Sequence, residues 1–561
     1  MEMIGKGANV TEPYGVEEVY DERPPATSSL EKFLRFIEVK DYAGGHYSNA
    51  DLDPVPPERR TWNWWHYISY WISDNFTPSG WRKAASLVEI GMSWKIALVN
   101  VAVAEVIVAM IITINGYIGA KYHISFTVIS RSSFGYYFSI LMIFMRMVVG
   151  TFWYGISTYT GAECVRSMLY AIWPSYRNVP NHLPASAHIT TQLMGAYAIY
   201  FVTIMPLHYI PIHRIRFLFT VKAITTPIIG FGIMGWTIHA CRGKGDLWGG
   251  SNTYSGSALG WVFMSGVYSN IAGWATLAVN SPDFTRYAIS PRHSFTMAIA
   301  MPLTAVLIAF FGVVGAAGSD LLWGTILWDP LLFVDEWTSR GGRAAAFFCA
   351  AGFYLAQALA NISANSISAA NDLNCMLPRF INIRRGQFIV AVVGAWAFTP
   401  WNILTSATQF LNFMNAYAIW LAPIAGIMIC DFYCVHMQKL DTWALYDSKG
   451  IYRYNKYGTN PRALVAWIVG WIPTFPGFLH SVNSNINVII PMQHLYELSY
   501  FYGFGSSFLV YYLLNFFWPY EPALLERGVF VDDVIINARD EEDVVASGDE
   551  YATMEKRSSS L

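Results

Sequence analysis

Charge is what this chain of 561 residues has least of: Asp, Glu, Lys and Arg make up 13% of it, against roughly 25% in a soluble domain. That deficit excludes an ordinary water-exposed globular protein. Cysteine is also scarce: six residues with no CxxC pair and no metal-ligand spacing, which read as small buried hydrophobes and not as a zinc site or a disulfide framework. Signatures of hydrolases and nucleotide-driven pumps are missing, with no GxSxG, no HExxH and no GxxxxGK[ST]. The nearest approach to a phosphate loop, "CRGKGDLWGG" from Cys241, has the wrong spacing. Neither an enzyme nor an ATP-driven pump is expected, and no cofactor, metal or nucleic acid is implied. The opening "MEMIGKGANVTEPYGVEEVYDERPP" has no apolar core, so the first apolar span is expected to insert as its own signal.

What the chain has instead is oil. Hydrophobic residues make up 54% and aromatics 16%, and runs of about 18 apolar residues, the length that crosses a bilayer core, recur about twelve times. The approximate spans are 64–92, 95–118, 134–160, 191–209, 216–240, 257–281, 294–318, 343–376, 387–404, 405–435, 463–481 and 495–518. An all-α membrane protein follows. Residues 1–60 read as a polar N-terminal tail, 61–520 as the membrane domain, and 521–561 as an acidic, Ser-rich disordered tail in which Lys556 is a candidate site for ubiquitin-type or trafficking machinery. Lys and Arg gather in alternate connections, among them Lys121, Arg131, Arg286, Arg379, Arg384 and Arg385. That bias places these connections, and both termini, in the cytoplasm.

Two spans are interrupted. The first carries Asp74, Asn75, Pro78 and Gly80 in mid-segment, and the sixth carries Asn270 and Gly273. Non-helical backbone at membrane depth is tolerated only inside protein or along a watery cavity, where half-helix ends hold ions and polar solutes. Because the two interrupted spans are five apart, a ten-helix inverted repeat with helices 1 and 6 broken, plus two accessory helices, is expected.

The eighth span is stranger still. Within "NISANSISAAND", Asn361, Asn365, Ser368 and Asp372 fall at i, i+4, i+7 and i+11 and form one polar stripe on an apolar helix. Such a stripe must face something other than lipid, and Asn offers both a donor and an acceptor to an amide-like ligand edge. In the third span Trp153, Ser157 and Gly161 share a face, so that an aromatic ring lies one turn from a hydroxyl and Gly allows close approach. Trp274 lies beside the interruption of the sixth span, and two Trp from different helices can sandwich a flat ring. Asp74 is the candidate for carrying a coupling proton. Asp283, beside Arg286, reads more simply as a structural ion pair, while Arg146 and Glu163 need partners in a membrane.

At "YHISFTVISRSSFG", "PDFTRYA", "NISANS", "LPRFINIRRGQ", "PWNIL" and "AYAIWLAPIAGIMICDF" followed by "ALYDSKGIYRYN", the chain resembles the fungal uracil, allantoin and uridine permeases of the nucleobase:cation symporter-1 family. The resemblance runs from about Asp53 to Tyr520. It implies a LeuT-like core and proton-coupled import of a nucleobase-like heterocycle across the plasma membrane. It implies Trp153 and Trp274 as stacking aromatics, Asn365 with Asn361 as substrate amides, and a gate around Met414. Two places depart from the family pattern. Ser157 stands where the family usually has Gln. Ala356, Leu359 and Ala360 stand where sodium-using relatives have hydroxyl ligands, which favours proton coupling. The shorter Ser157 leaves room for a bulkier solute such as thiamine or nicotinamide riboside, and a membrane sensor of the same ligand is the reading from another class.

Overall fold

The computed structural model describes residues 28–39, 48–210, 212–404 and 406–530. The acidic C-terminal segment with Lys556, and most of the N-terminal tail, lie outside these residues. The architecture is helical, with no named strand among the described residues. Two points flanking helix α1 (Ser29–Ile37) on its C-terminal side fasten to the body: Val39 N–H donates to the Arg379 carbonyl at 2.9 Å, and Asn49 Nδ2 donates to Asn374 Oδ1 at 2.6 Å.

The first apolar span forms two helices, α2 (Trp64–Asn75) and α3 (Pro78–Glu89). Thr77 caps α3 by accepting the Gly80 N–H at 3.2 Å, and Pro78 occupies the first helical position, where its missing N–H costs nothing. The two ends approach so closely that a Cβ at Gly80 would lie 2.1 Å from the Asn75 carbonyl oxygen. Helices α4 (Trp94–Tyr122), α5 (Phe126–Phe134), α6 (Phe138–Ile172), α7 (Thr191–Tyr209) and α8 (Ile212–Ala240) follow. Then come α9 (Gly256–Ala272) and α10 (Ala275–Asn280), joined by Gly273 and Trp274, with α11 (Pro282–Thr285) directly after.

The second half continues with α12 (Met297–Trp323), the short α13 (Pro330–Asp335) and α14 (Arg340–Ala360). From Asn361 to Ile367 the eighth span becomes a π-helix, after which α15 (Ser368–Met376) resumes the α register. Helices α16 (Ile383–Trp396), α17 (Ala407–Cys430), α18 (Pro461–Trp471), α19 (Phe475–Val482), α20 (Ile490–Glu497) and α21 (Ser499–Phe517) complete the chain. Among the described residues seven helical segments are long and apolar enough to cross a membrane, from Trp94–Tyr122 to Pro461–Val482.

Small residues set the spacing of the core. A Cβ at Gly312 of α12 would meet the Trp81 carbonyl oxygen of α3 at 2.4 Å, and one at Gly155 of α6 would meet the Gly394 carbonyl of α16 at 2.4 Å. Backbones in contact gain dispersion and weak hydrogen bonding where lipid supplies no hydrophobic drive between helices. Helix α6 runs through this core, packed on α7, α14, α15 and α16.

Three expectations need correction. The ninth apolar segment ends as a helix at Trp396 and not near residue 404, because Thr399 takes a left-handed φ of 42° ahead of Pro400, which disfavours helix in the residue before it. Asp283 forms no close pair with Arg286. It accepts the Phe126 N–H at 2.9 Å and Asn280 Nδ2 at 3.2 Å, while Arg286 binds the Asp51 carbonyl and the Tyr287 hydroxyl. Gly161 makes room for the Tyr200 ring, 2.1 Å from where its Cβ would lie, and so serves packing and not ligand approach.

Candidate substrate site

The polar stripe of the eighth span turns inward. Asn361, Ser368 and Asp372 are buried and Asn365 is half-buried. A π turn widens the helix by one residue and is a device often met at functional sites. Here it carries both asparagines against α6. Asn361 Nδ2 reaches the Tyr154 carbonyl at 3.2 Å and Thr158 Oγ1 at 3.3 Å. Asn365 Nδ2 lies 3.1 Å from Ser157 Oγ, 3.3 Å from the Trp153 carbonyl and 3.0 Å from Asn361 Oδ1. The Asn365 amide is thus oriented by protein acceptors through its nitrogen, and its carbonyl oxygen takes no donor among the described residues. Trp153, Ser157, Asn361 and Asn365 form one constellation.

Trp153 has a further partner that the sequence did not single out. Its Nε1–H donates to the Tyr417 hydroxyl at 2.9 Å, and that hydroxyl donates to the Ala272 carbonyl at 2.8 Å, at the end of α9. Phe413 packs edge-on to Trp153 with ring centroids 5.7 Å apart. The aromatic wall therefore spans α6, α17 and the α9 terminus, and Tyr417 ties α6 to the end of α9. On the far side of Phe413 and Tyr417 an apolar cavity of about 390 Å³ opens, lined also by Phe144, Val148, Phe152 and Trp467. It holds almost no polar surface and is not the polar site.

Trp274 sits apart from this group. It makes no ring contact with Trp153. Its Nε1–H donates to Glu105 Oε1 at 2.9 Å, its edge meets Trp71 at 5.4 Å, and the Lys83 ammonium stands 4.0 Å over its ring. In this arrangement the ion pair from α3 and α4 takes up the indole N–H and one face of the ring. Met414, fully buried, lies next to the α9 terminus, its Sδ 3.2 Å from where a Cβ on Gly273 would be.

Asp74, at the end of α2, is buried with Tyr70, Ser363 of the π turn and the Lys222 ammonium of α8 around it, where α2, α8 and α14 meet. Lys222 Nζ is fully buried without a hydrogen-bond partner and stands off from the carboxylate. Arg146 and Glu163 both find partners. Arg146 pairs with Asp372 and binds Ser368 Oγ at 2.5 Å. Arg82 binds Glu163 and Asp329 at 2.5 Å each. Lys83, Glu105 and Lys222 escaped the sequence reading, although each is an ionisable residue within or beside an apolar run, such as "VNVAVAEVIVAMI" around Glu105, and that alone marks a residue as functional in a membrane.

A family model described as a permease for cytosine/purines, uracil, thiamine and allantoin matches residues 54–503. The chain belongs to the nucleobase:cation symporter-1 family. An uncharacterised permease of Schizosaccharomyces pombe is 41% identical over 507 residues, covering 90% of each chain. The uridine permease of Saccharomyces cerevisiae is 36% identical over 484 residues, 84% of this chain and 75% of that one. Among solved structures, the inward-facing conformation of Mhp1 superposes with a TM-score of 0.67 at 20% identity over 86% of this chain and 97% of Mhp1. Mhp1 in a closed conformation with bromovinylhydantoin bound gives 0.64 at 20% identity, over 85% and 97%. The fold is thus the Mhp1 fold, and this family member is a membrane transporter and not an enzyme. The resemblance read from "NISANS" and its companion motifs holds.

Proposed function

We propose that this permease carries a small nitrogen heterocycle of the uracil, allantoin or uridine class across the plasma membrane, coupled to protons, by alternating access. One observation carries the reading: Trp153, Ser157 and the two asparagines of the π turn converge between α6 and the eighth span, an aromatic beside an oriented amide whose carbonyl oxygen is unspent among the described residues. An apolar face with a few fixed polar groups is what a flat, polar-edged ring requires. The transporter core, residues 61–520 with about twelve spans, would take α2/α3 and α9/α10 as the broken helices of two inverted repeats, with both tails cytoplasmic.

Proton coupling is favoured over sodium by two features. Where hydroxyl ligands for sodium would stand, the chain has Ala356, Leu359 and Ala360. The buried Lys222 ammonium near Asp74 also repels a metal cation, whereas a proton moving on and off Asp74 changes the attraction between the two groups.

The test is uptake of labelled uracil, allantoin, uridine and thiamine in cells lacking their own permeases, with and without a proton gradient, for the natural protein and Asp74→Asn. Gradient-dependent accumulation of a heterocycle, reduced to gradient-independent exchange in D74N, is the expected result. Uptake of thiamine alone would move the substrate class to larger cations, and uptake of none would leave a sensor.

A further inference from the structure

The indole face offered to a ligand at Trp274 is covered by an ammonium. Lys83 Nζ stands 4.0 Å over that ring and donates at 2.9 Å to Glu105 Oε1, which also accepts the indole N–H. Glu105 is fully buried in the middle of α4, and its second oxygen, Oε2, has no hydrogen-bond partner among the described residues. Among the described residues the Lys83 ammonium donates to Glu105 Oε1 alone. Its stem passes 3.7 Å from the position of a Cβ on Gly273, beside Met414, so the pair borders the α9/α10 junction that Tyr417 links to Trp153.

Stability does not account for this pair. A buried ion pair is commonly replaceable by apolar residues at no loss, and a buried carboxylate oxygen without a donor carries an uncompensated desolvation cost. Spare N–H groups next to a bare carboxylate oxygen make a donor–acceptor edge. We propose that Lys83 and Glu105 form a second polar wall of the substrate site and read an –NH–C(=O)– edge of the heterocycle. The substrate carbonyl accepts from the Lys83 ammonium, and the neighbouring ring N–H donates to Glu105 Oε2. Lys83 swings off the Trp274 face as the ring enters, keeping its bond to Glu105.

The inference rests on the heterocycle-transport reading and narrows it to neutral imide or ureide rings. A fixed cation such as thiamine meets the Lys83 charge and is rejected. The pair also supplies what Ser157 is too short to provide, since the paired donor and acceptor of an amide come from the opposite wall.

The experiment is competition of labelled substrate uptake by hydantoin and uracil, each also methylated at one ring nitrogen at a time, in the natural protein and in Lys83→Met/Glu105→Leu. The double variant leaves no unpaired buried charge. The natural protein is expected to discriminate by about 100-fold against methylation at one nitrogen, as a site with buried polar groups does when a partner is removed. In the double variant that discrimination falls to within about tenfold, while discrimination at the other nitrogen stays. Equal profiles in the two proteins would overturn the inference and leave heterocycle transport standing. Uptake of no heterocycle by the natural protein would overturn both. Should the double variant not reach the surface, Glu105→Asp keeps the charges and withdraws the acceptor by one methylene. It is expected to weaken the unmethylated ring alone, and equal weakening of both forms would overturn the inference.

Discussion

Asn365 is the residue on which the proposed site turns. Its amide nitrogen is fixed by Ser157 Oγ, Asn361 Oδ1 and the Trp153 carbonyl, so the proposed contact of its oxygen with a ligand N–H would need no further ordering of the side chain. Ordering a free amide on binding would consume part of the affinity, and here the protein has done so beforehand. Asn365→Ala removes one ligand hydrogen bond and strands the Ser157 hydroxyl. Apparent affinity is expected to fall about 10- to 100-fold with unchanged surface expression, measured as uptake against concentration. Unchanged affinity would remove Asn365 from the site.

At the scale of elements the fold depends on close backbone crossings. Helix α3 is held to α12 where Gly312 faces the Trp81 carbonyl and Gly315 the Trp81 ring. Since a Cβ at Gly312 would lie 2.4 Å from a backbone oxygen, Gly312→Val is expected to destabilise by about 1–3 kcal/mol. It should lower the melting temperature in detergent. Gly232 of α8 has nothing within 4 Å of its Cβ position, so Gly232→Ala is the control and should hold or raise it. Equal effects at the two sites would show that the α3–α12 crossing is not constrained as argued.

What was legible in the sequence follows the same physics. The Asn361 to Asp372 stripe was readable because lipid gives amides and carboxylates no reason to be there, and the two helix interruptions were readable because Pro78, Gly80 and Gly273 punctuate. The π turn was not, since a shift of hydrogen-bond register from Asn361 to Ile367 leaves no trace in composition. Nor was the capture of Trp274 by Lys83 and Glu105: those residues are far apart in the chain, and only the packing of α3, α4 and α9 brings them together. Tyr417 was passed over because an aromatic on an apolar helix looks like core until its hydroxyl is seen bridging Trp153 and Ala272.

Two of the buried ionic clusters among the described residues lie along α6, one on either side of the site. Along α6, Arg146 and Glu163 stand roughly 25 Å apart, at a rise of about 1.5 Å per residue, with Trp153 and Ser157 between them. At one end Arg146 joins α6 to α15 through Asp372 and Ser368. At the other Arg82 joins α3 to Glu163 of α6 and to Asp329 ahead of α13. Closing both ends at once suits a carrier between its two open states. Breaking a buried pair by neutralising one partner costs several kcal/mol, enough to shift a balance between conformations. Asp329→Asn is therefore expected to open the path at the Arg82 end and Asp372→Asn the path at the Arg146 end. A cysteine at Ser157 reports on both, in a background where the half-buried Cys349 and Cys434 are serine. An impermeant thiol reagent added to one side of sealed vesicles should label it several-fold faster in one variant and several-fold slower in the other. Reversing the side should reverse the order. Parallel changes in the two variants would mean that the clusters hold the bundle together without gating it.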